Sequence, residues 1–137
     1  MRGAGYKNPT LQLLQTVSTL PPGFSSSMNT CGGILVHPSK KYIFTSNRGH
    51  DSLVVYRIVA GGALETVSYV HTGGMTPRHF EFDPSGRWCF IANQDTNDLS
   101  VFSFNVLTGA LEPTLYKYYI PSPNFVLPFT NERKQLE

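Results

Sequence analysis

At 137 residues the chain has the length of one ordinary domain, and its 12 glycines, 10 prolines, nine phenylalanines and seven tyrosines suit many short strands joined by tight turns. A net charge of +2, with no block of like charge, excludes the electrostatic footprint of a nucleic-acid or anionic-membrane binder. No apolar run approaches the ~18 residues of a membrane span, and the opening MRGAGYKNPT lacks the apolar core of a signal peptide, so no membrane partner and a cytoplasmic setting are expected.

Leu11 to Thr19 is mixed apolar and polar, with Leu11, Leu13, Gln15, Val17 and Thr19 on one face, and reads as a lone strand, ended by Pro21-Pro22-Gly23. Ser25 to Asn29 is a polar loop. Four strands then follow in meander order: Gly33 to Val36, Lys41 to Ser46, Leu53 to Ile58 and Leu64 to Val70. They are separated by the turn His37-Pro38-Ser39-Lys40, the loop Asn47 to Asp51 and the turn Ala60-Gly61-Gly62. A second set of four takes the same order: Arg78 to Phe82, Trp88 to Ala92, Leu99 to Phe104 and Leu111 to Tyr119. After Pro121-Ser122-Pro123, Phe125 to Phe129 reads as one further inner strand. Cys31 and Cys89 fall within this strand pattern and read as buried free thiols. No Cys/His cluster has metal-ligand spacing and no glycine-rich phosphate loop precedes a helix, so neither a metal nor a cofactor is expected.

The two sets are copies of one unit. His37 to Ile58 aligns with Asp83 to Phe104: Pro38 falls on Pro84, Phe44 on Phe90, Asn47 on Asn93, Leu53 on Leu99 and Val55 on Val101. After one extra residue Gly62-Ala63-Leu64-Glu65 falls on Gly109-Ala110-Leu111-Glu112. A strand-rich period of about 46 residues is that of a propeller blade. The expected fold is therefore all-β: a partial β-propeller of two four-stranded antiparallel blades, about 31–70 and 78–119, with flanking strands at 11–19 and 125–129. Two blades leave two open apolar faces, through which self-association is expected.

In a four-stranded meander, successive connections alternate ends. One end then carries only HPSK, AGG, DPSG and LTG turns. The other collects Arg48, His50, Asp51, Arg78, His79, Gln94 and Asp95. Paired guanidiniums suit a phosphate or carboxylate, and a histidine beside an aspartate suits proton transfer. Each has a plainer reading. Asp51 and Asp95 fit turn caps, and Asn47 and Asn93, at matched positions, fit structural turn residues. Arg48, His50, Arg78 and His79 have no counterpart of their own type in the repeat, which frees them from a purely structural duty. His37 reads as structural, His71 as solvated and Trp88 as core.

The segments SNRGHDSLVVYRI, TGGMTPRHFEFDPSGRWCFIANQDTNDLSVFSFN, the TGAL turn and IPSPNFVLPF together resemble the C-terminal part of the seven-bladed propeller lactonases. This is the family of the propeller-type 6-phosphogluconolactonase and the fungal carboxymuconate-cyclising enzyme. The resemblance runs over Leu11 to Phe129. It implies a cytosolic, metal-independent enzyme that opens or closes a lactone ring on a small anionic substrate, here as an incomplete propeller domain over residues 1–137. It places Arg48, His50, Arg78 and His79 at polar positions around the channel, with Gln94 and Asp95 on the following blade. The expected chemistry is water attack on a lactone carbonyl, with Arg48, Arg78, Gln94 and Asp95 binding substrate. His50 or His79 would be the general base, with Asp51 orienting His50. The alternatives are carboxymuconate-cyclase-like chemistry and a non-catalytic remnant or interaction module.

Overall fold

The computed structural model describes residues 11–130. Eight strands form two sheets. The first blade is β1 (Thr30–Val36), β2 (Tyr42–Arg48), β3 (Ser52–Ile58) and β4 (Leu64–His71). The second is β5 (Pro77–Phe82), β6 (Trp88–Asn93), β7 (Asp98–Asn105) and β8 (Ala110–Tyr119). Each sheet is an antiparallel meander with its strands hydrogen-bonded in chain order. The register repeats with the sequence: Phe44 pairs with Val55 as Phe90 pairs with Val101. The third-to-fourth strand pair carries a register shift in both blades, between Val55 and Tyr56 and between Ser100 and Phe102. The expected architecture of a partial propeller is the observed one.

The core lies between the blades. Strand alternation puts Tyr42, Phe44, Leu53 and Val55 on one face of the first sheet. They pack against Phe80, Phe82, Cys89, Ile91, Phe102, Phe104 and Leu111 of the second. Fully burying one such side chain contributes about 1.5–3 kcal/mol. His37 fastens the turn ends of the two blades: its Nε2 lies 2.8 Å from the Gly86 carbonyl and its ring meets Phe82 edge-on at 4.7 Å. Its structural reading holds. In the matching turn, Asp83 accepts the N–H groups of Ser85, Arg87 and Trp88.

Three expectations need correction. The segments 11–19 and 125–129 are not strands. A strand needs a backbone ladder with a partner, and among the described residues neither segment forms one. Instead, Gln15 exchanges two hydrogen bonds with the Leu64 main chain, while the carbonyls of Ser18 and Leu20 accept the hydroxyls of Tyr56 and Tyr69. The Thr19 carbonyl accepts the amide of Asn47 just as the Thr72 carbonyl accepts that of Asn93. Residues 11–19 thus occupy the place that β4 fills beside the second blade. Second, Cys31 is exposed; only Cys89 is a buried thiol. Third, Trp88 is 37% exposed. It is the repeat counterpart of Tyr42, on a face that no further blade of the described chain covers.

Candidate active site

The connections alternate ends as expected. His37 and Asp83 lie at the turn end, and the loops that end β2 and open β5 lie at the other. At that loop end the inner strands β1 and β5 come close together. A Cβ on Gly32 would collide with the Ser46 hydroxyl and crowd the Pro77 carbonyl, so a bare backbone is required there.

Arg48 is the last residue of β2, paired across to Thr30. Its Nη2 donates to the Cys31 carbonyl at 3.0 Å, which lays the guanidinium along the start of β1. Its Nε is buried with no partner among the described residues. Arg78 is the second residue of β5; it is exposed and makes no ion pair or side-chain hydrogen bond among the described residues. His79 follows, half-buried, stacked on Phe125 at 4.3 Å, with Nδ1 receiving the Val126 N–H at 3.3 Å. Arg78 and His79 therefore sit at the start of the inner strand β5, and Arg48, at the end of β2, lies beside the start of the neighbouring inner strand β1.

His50 belongs elsewhere. The β2–β3 loop lies mid-blade, and His50 turns toward the outermost strand: its ring lies 5.0 Å from that of His71 and 4.8 Å from that of Phe24. Its Nδ1 is 2.7 Å from the Ser52 hydroxyl. Burial, reinforced by the neighbouring His71 and opposed by Asp51, lowers its pKa below the usual histidine value. His71 is exposed, as expected of it, but it also shapes this cluster.

Asp51 does not orient His50 through a hydrogen bond. It has φ +52°, and its Oδ1 accepts the N–H groups of Gly49 at 3.2 Å and Thr76 at 2.9 Å. Its repeat counterpart Asn97, at φ +56°, accepts the Ser122 N–H at 2.8 Å. Each clamps the crossover that leaves its blade. Asp95 likewise accepts the Thr76 hydroxyl, and Gln94 reaches Ser122 at 3.4 Å. Asn47 and Asn93 are fully buried at the ends of β2 and β6 rather than in loops.

A buried charge escaped notice in the sequence. Asp98, at the start of β7, pairs with Lys117 at 3.2 Å and accepts from Asn93 at 2.8 Å and Ser100 at 3.1 Å. Burial pushes its carboxyl up, but hydrogen bonds from Thr96, Asn93, Lys117 and Ser100 outweigh this and hold it below the usual carboxylate value. Lys117 also donates to the Gly73 carbonyl at 2.7 Å, tying the outer strand to the crossover. The signal was a carboxylate at the mouth of an apolar strand, where the first blade has Ser52.

This end of the inner strands thus carries Arg48, Arg78 and His79, side chains of types that can donate to a carboxylate or phosphate. Among the described residues no group of three or more His, Cys, Asp or Glu is placed to hold a metal ion, and no helix is long and apolar enough to cross a membrane.

The family described as "Lactonase, 7-bladed beta-propeller" matches residues 4–128. The chain belongs to the seven-bladed β-propeller lactonases. It is 37% identical over 116 residues to an uncharacterised protein of Lactococcus lactis, covering 84% of this chain and 34% of that one. It is 31% identical over 122 residues to the 6-phosphogluconolactonase of Bacillus subtilis, covering 85% and 34%. Among solved structures it resembles the periplasmic gluconolactonase of Pseudomonas aeruginosa, with TM-score 0.79 and 30% identity over 88% of this chain and 34% of that one. The chain therefore spans about a third of the length of these lactonase-family relatives.

Proposed function

We propose that the chain serves a lactone hydrolase of the 6-phosphogluconolactonase type, acting on a small anionic sugar lactone, and that it contributes two blades and an anion-binding part of the site to a seven-bladed ring. The observation that carries this reading is that Arg78 and His79 at the start of β5, and Arg48 beside the start of β1, lie at the same end of adjacent inner strands. A ring closed over that end would aim their donors at one point in the channel. Two guanidiniums would hold the substrate anion and stabilise the negative charge that grows on the lactone oxygen as water attacks. His79 is the imidazole of this mouth; His50, turned toward the outer edge, supports the loop. A cytosolic setting accompanies the reading, since both cysteines are free and one is exposed, as suits a reducing compartment.

The test is proton release from 6-phosphogluconolactone, gluconolactone and carboxymuconolactone. It compares this chain, the Bacillus subtilis relative, and a chimera in which residues 11–130 replace the matching third of that relative. The chimera is expected to hydrolyse the phosphorylated lactone well above the spontaneous rate. Arg78→Ala in the chimera should lower kcat/KM about 10- to 150-fold, the loss of one charge-assisted contact. A folded chimera inert toward every lactone would overturn the reading in favour of an interaction module. Preference for carboxymuconolactone would move it to cyclase-like chemistry.

A further inference from the structure

The protonation pattern of His79 follows from its neighbours. A main-chain N–H can only donate, so the 3.3 Å contact from Val126 makes Nδ1 an acceptor with a free lone pair. A neutral imidazole carries one proton, which must then reside on Nε2. The ring is held in this pose by Phe125, stacked at 4.3 Å with an interplanar angle of 35°. Nε2 takes no hydrogen bond among the described residues. A neutral histidine held this way presents an N–H and not a lone pair to its free side.

Resting on the lactonase reading above, we propose that His79 serves the site as a hydrogen-bond donor through Nε2–H, aimed at an oxygen of the anionic substrate. It is not the base that takes a proton from water. Val126 is the positioning residue, acting through its main-chain N–H. The proton stays on Nε2 when the substrate oxygen accepts the hydrogen bond. The role suits the residue types of this end of the inner strands: Arg48 and Arg78 are also obligate donors.

The experiment is nitrogen-15 NMR of the full chain labelled at histidine, at alkaline pH. His79 is expected to show a protonated Nε2 and an unprotonated Nδ1. A proton on Nδ1, or an even mixture of tautomers, overturns the proposal. Val126→Pro removes the N–H and is expected to turn the single tautomer into a mixture; an unchanged pattern overturns Val126 as its cause. Titration with gluconate 6-phosphate then reads the role. The Nε2 proton should shift on binding. His79→Gln, which keeps an N–H donor, should bind within a few-fold of the parent, and His79→Ala should bind about 10- to 150-fold more weakly. Equal weakening in both variants, or no binding by a chain that has the expected tautomer, overturns the donor role. Lactone hydrolysis by the chimera is read separately, so this proposal and the lactonase reading fail independently.

Discussion

The ring of His50 is wedged between Phe24 and His71, with its Nδ1 spent on Ser52, and it is worth more to stability than to chemistry. Its pKa lies below the usual 6.5, first because it is buried and then because His71 repels a second positive charge. The sign follows. The folded state prefers the neutral ring, so its contribution is complete above the unfolded pKa. It is lost as pH falls through the lower folded value. Thermal melts from neutral to mildly acidic pH should therefore show a falling midpoint, and His50→Gln should flatten that slope. Asp98, held low by its donors, gives a similar loss only below the ordinary carboxylate range, so the two windows are distinct. An unchanged pH slope in His50→Gln would place the sensitivity in another group.

The crossovers show what an element asks of its residues and why a sequence conceals it. Asp51 looks like half of a catalytic pair because it follows His50. The fold shows it as one of two equivalent clamps, since Asn97 does the same work one blade later with an uncharged amide. The clamp needs an acceptor oxygen and tolerance of positive φ, and asparagine has both. Asp51→Asn should thus leave stability within about 0.5 kcal/mol, whereas Asp51→Ala should cost about 1–3 kcal/mol through two main-chain N–H groups left without their acceptor. Denaturant melts of the two variants decide it; equal damage would mean that the charge matters. Strand order, the blade repeat and the sorting of loops to one end were all legible, because each depends on spacing and alternation. The split between His50 and Arg48 was not. Two residues apart, across the end of β2, they point to the outer strand and the inner strand respectively, and side-chain direction where a strand gives way to a loop leaves no periodic trace. The failure of 11–19 and 125–129 to form strands has a related cause: their composition is that of strands, but pairing depends on neighbours that local pattern does not specify.

At the scale of the whole molecule, the repeat sets up an internal control. Phe44 and Phe90 hold the same position in successive blades, as do Leu53 and Leu99. Phe44 and Leu53 are fully buried between the sheets, while Phe90 and Leu99 lie on the face of the second blade that points away from the first. Around them Trp88, Tyr116 and Tyr118 remain open, with Val126, Leu127 and Phe129 of the flanking segment lying alongside. So large an apolar face on a chain this small is expected to drive concentration-dependent self-association, measurable by light scattering and sedimentation. The matched pair separates folding from association. Phe44→Ala opens a cavity in the inter-blade core and should cost about 3–5 kcal/mol. Phe90→Lys puts a charge on the open face and should leave the melt nearly unchanged while shifting the chain toward monomer. If Phe90→Lys unfolds the chain as Phe44→Ala does, the outer face is packed in the free molecule. If the unmodified chain stays a compact monomer with a sharp melt at high concentration, the outer face of the second blade is covered from within, and the expectation of self-association fails.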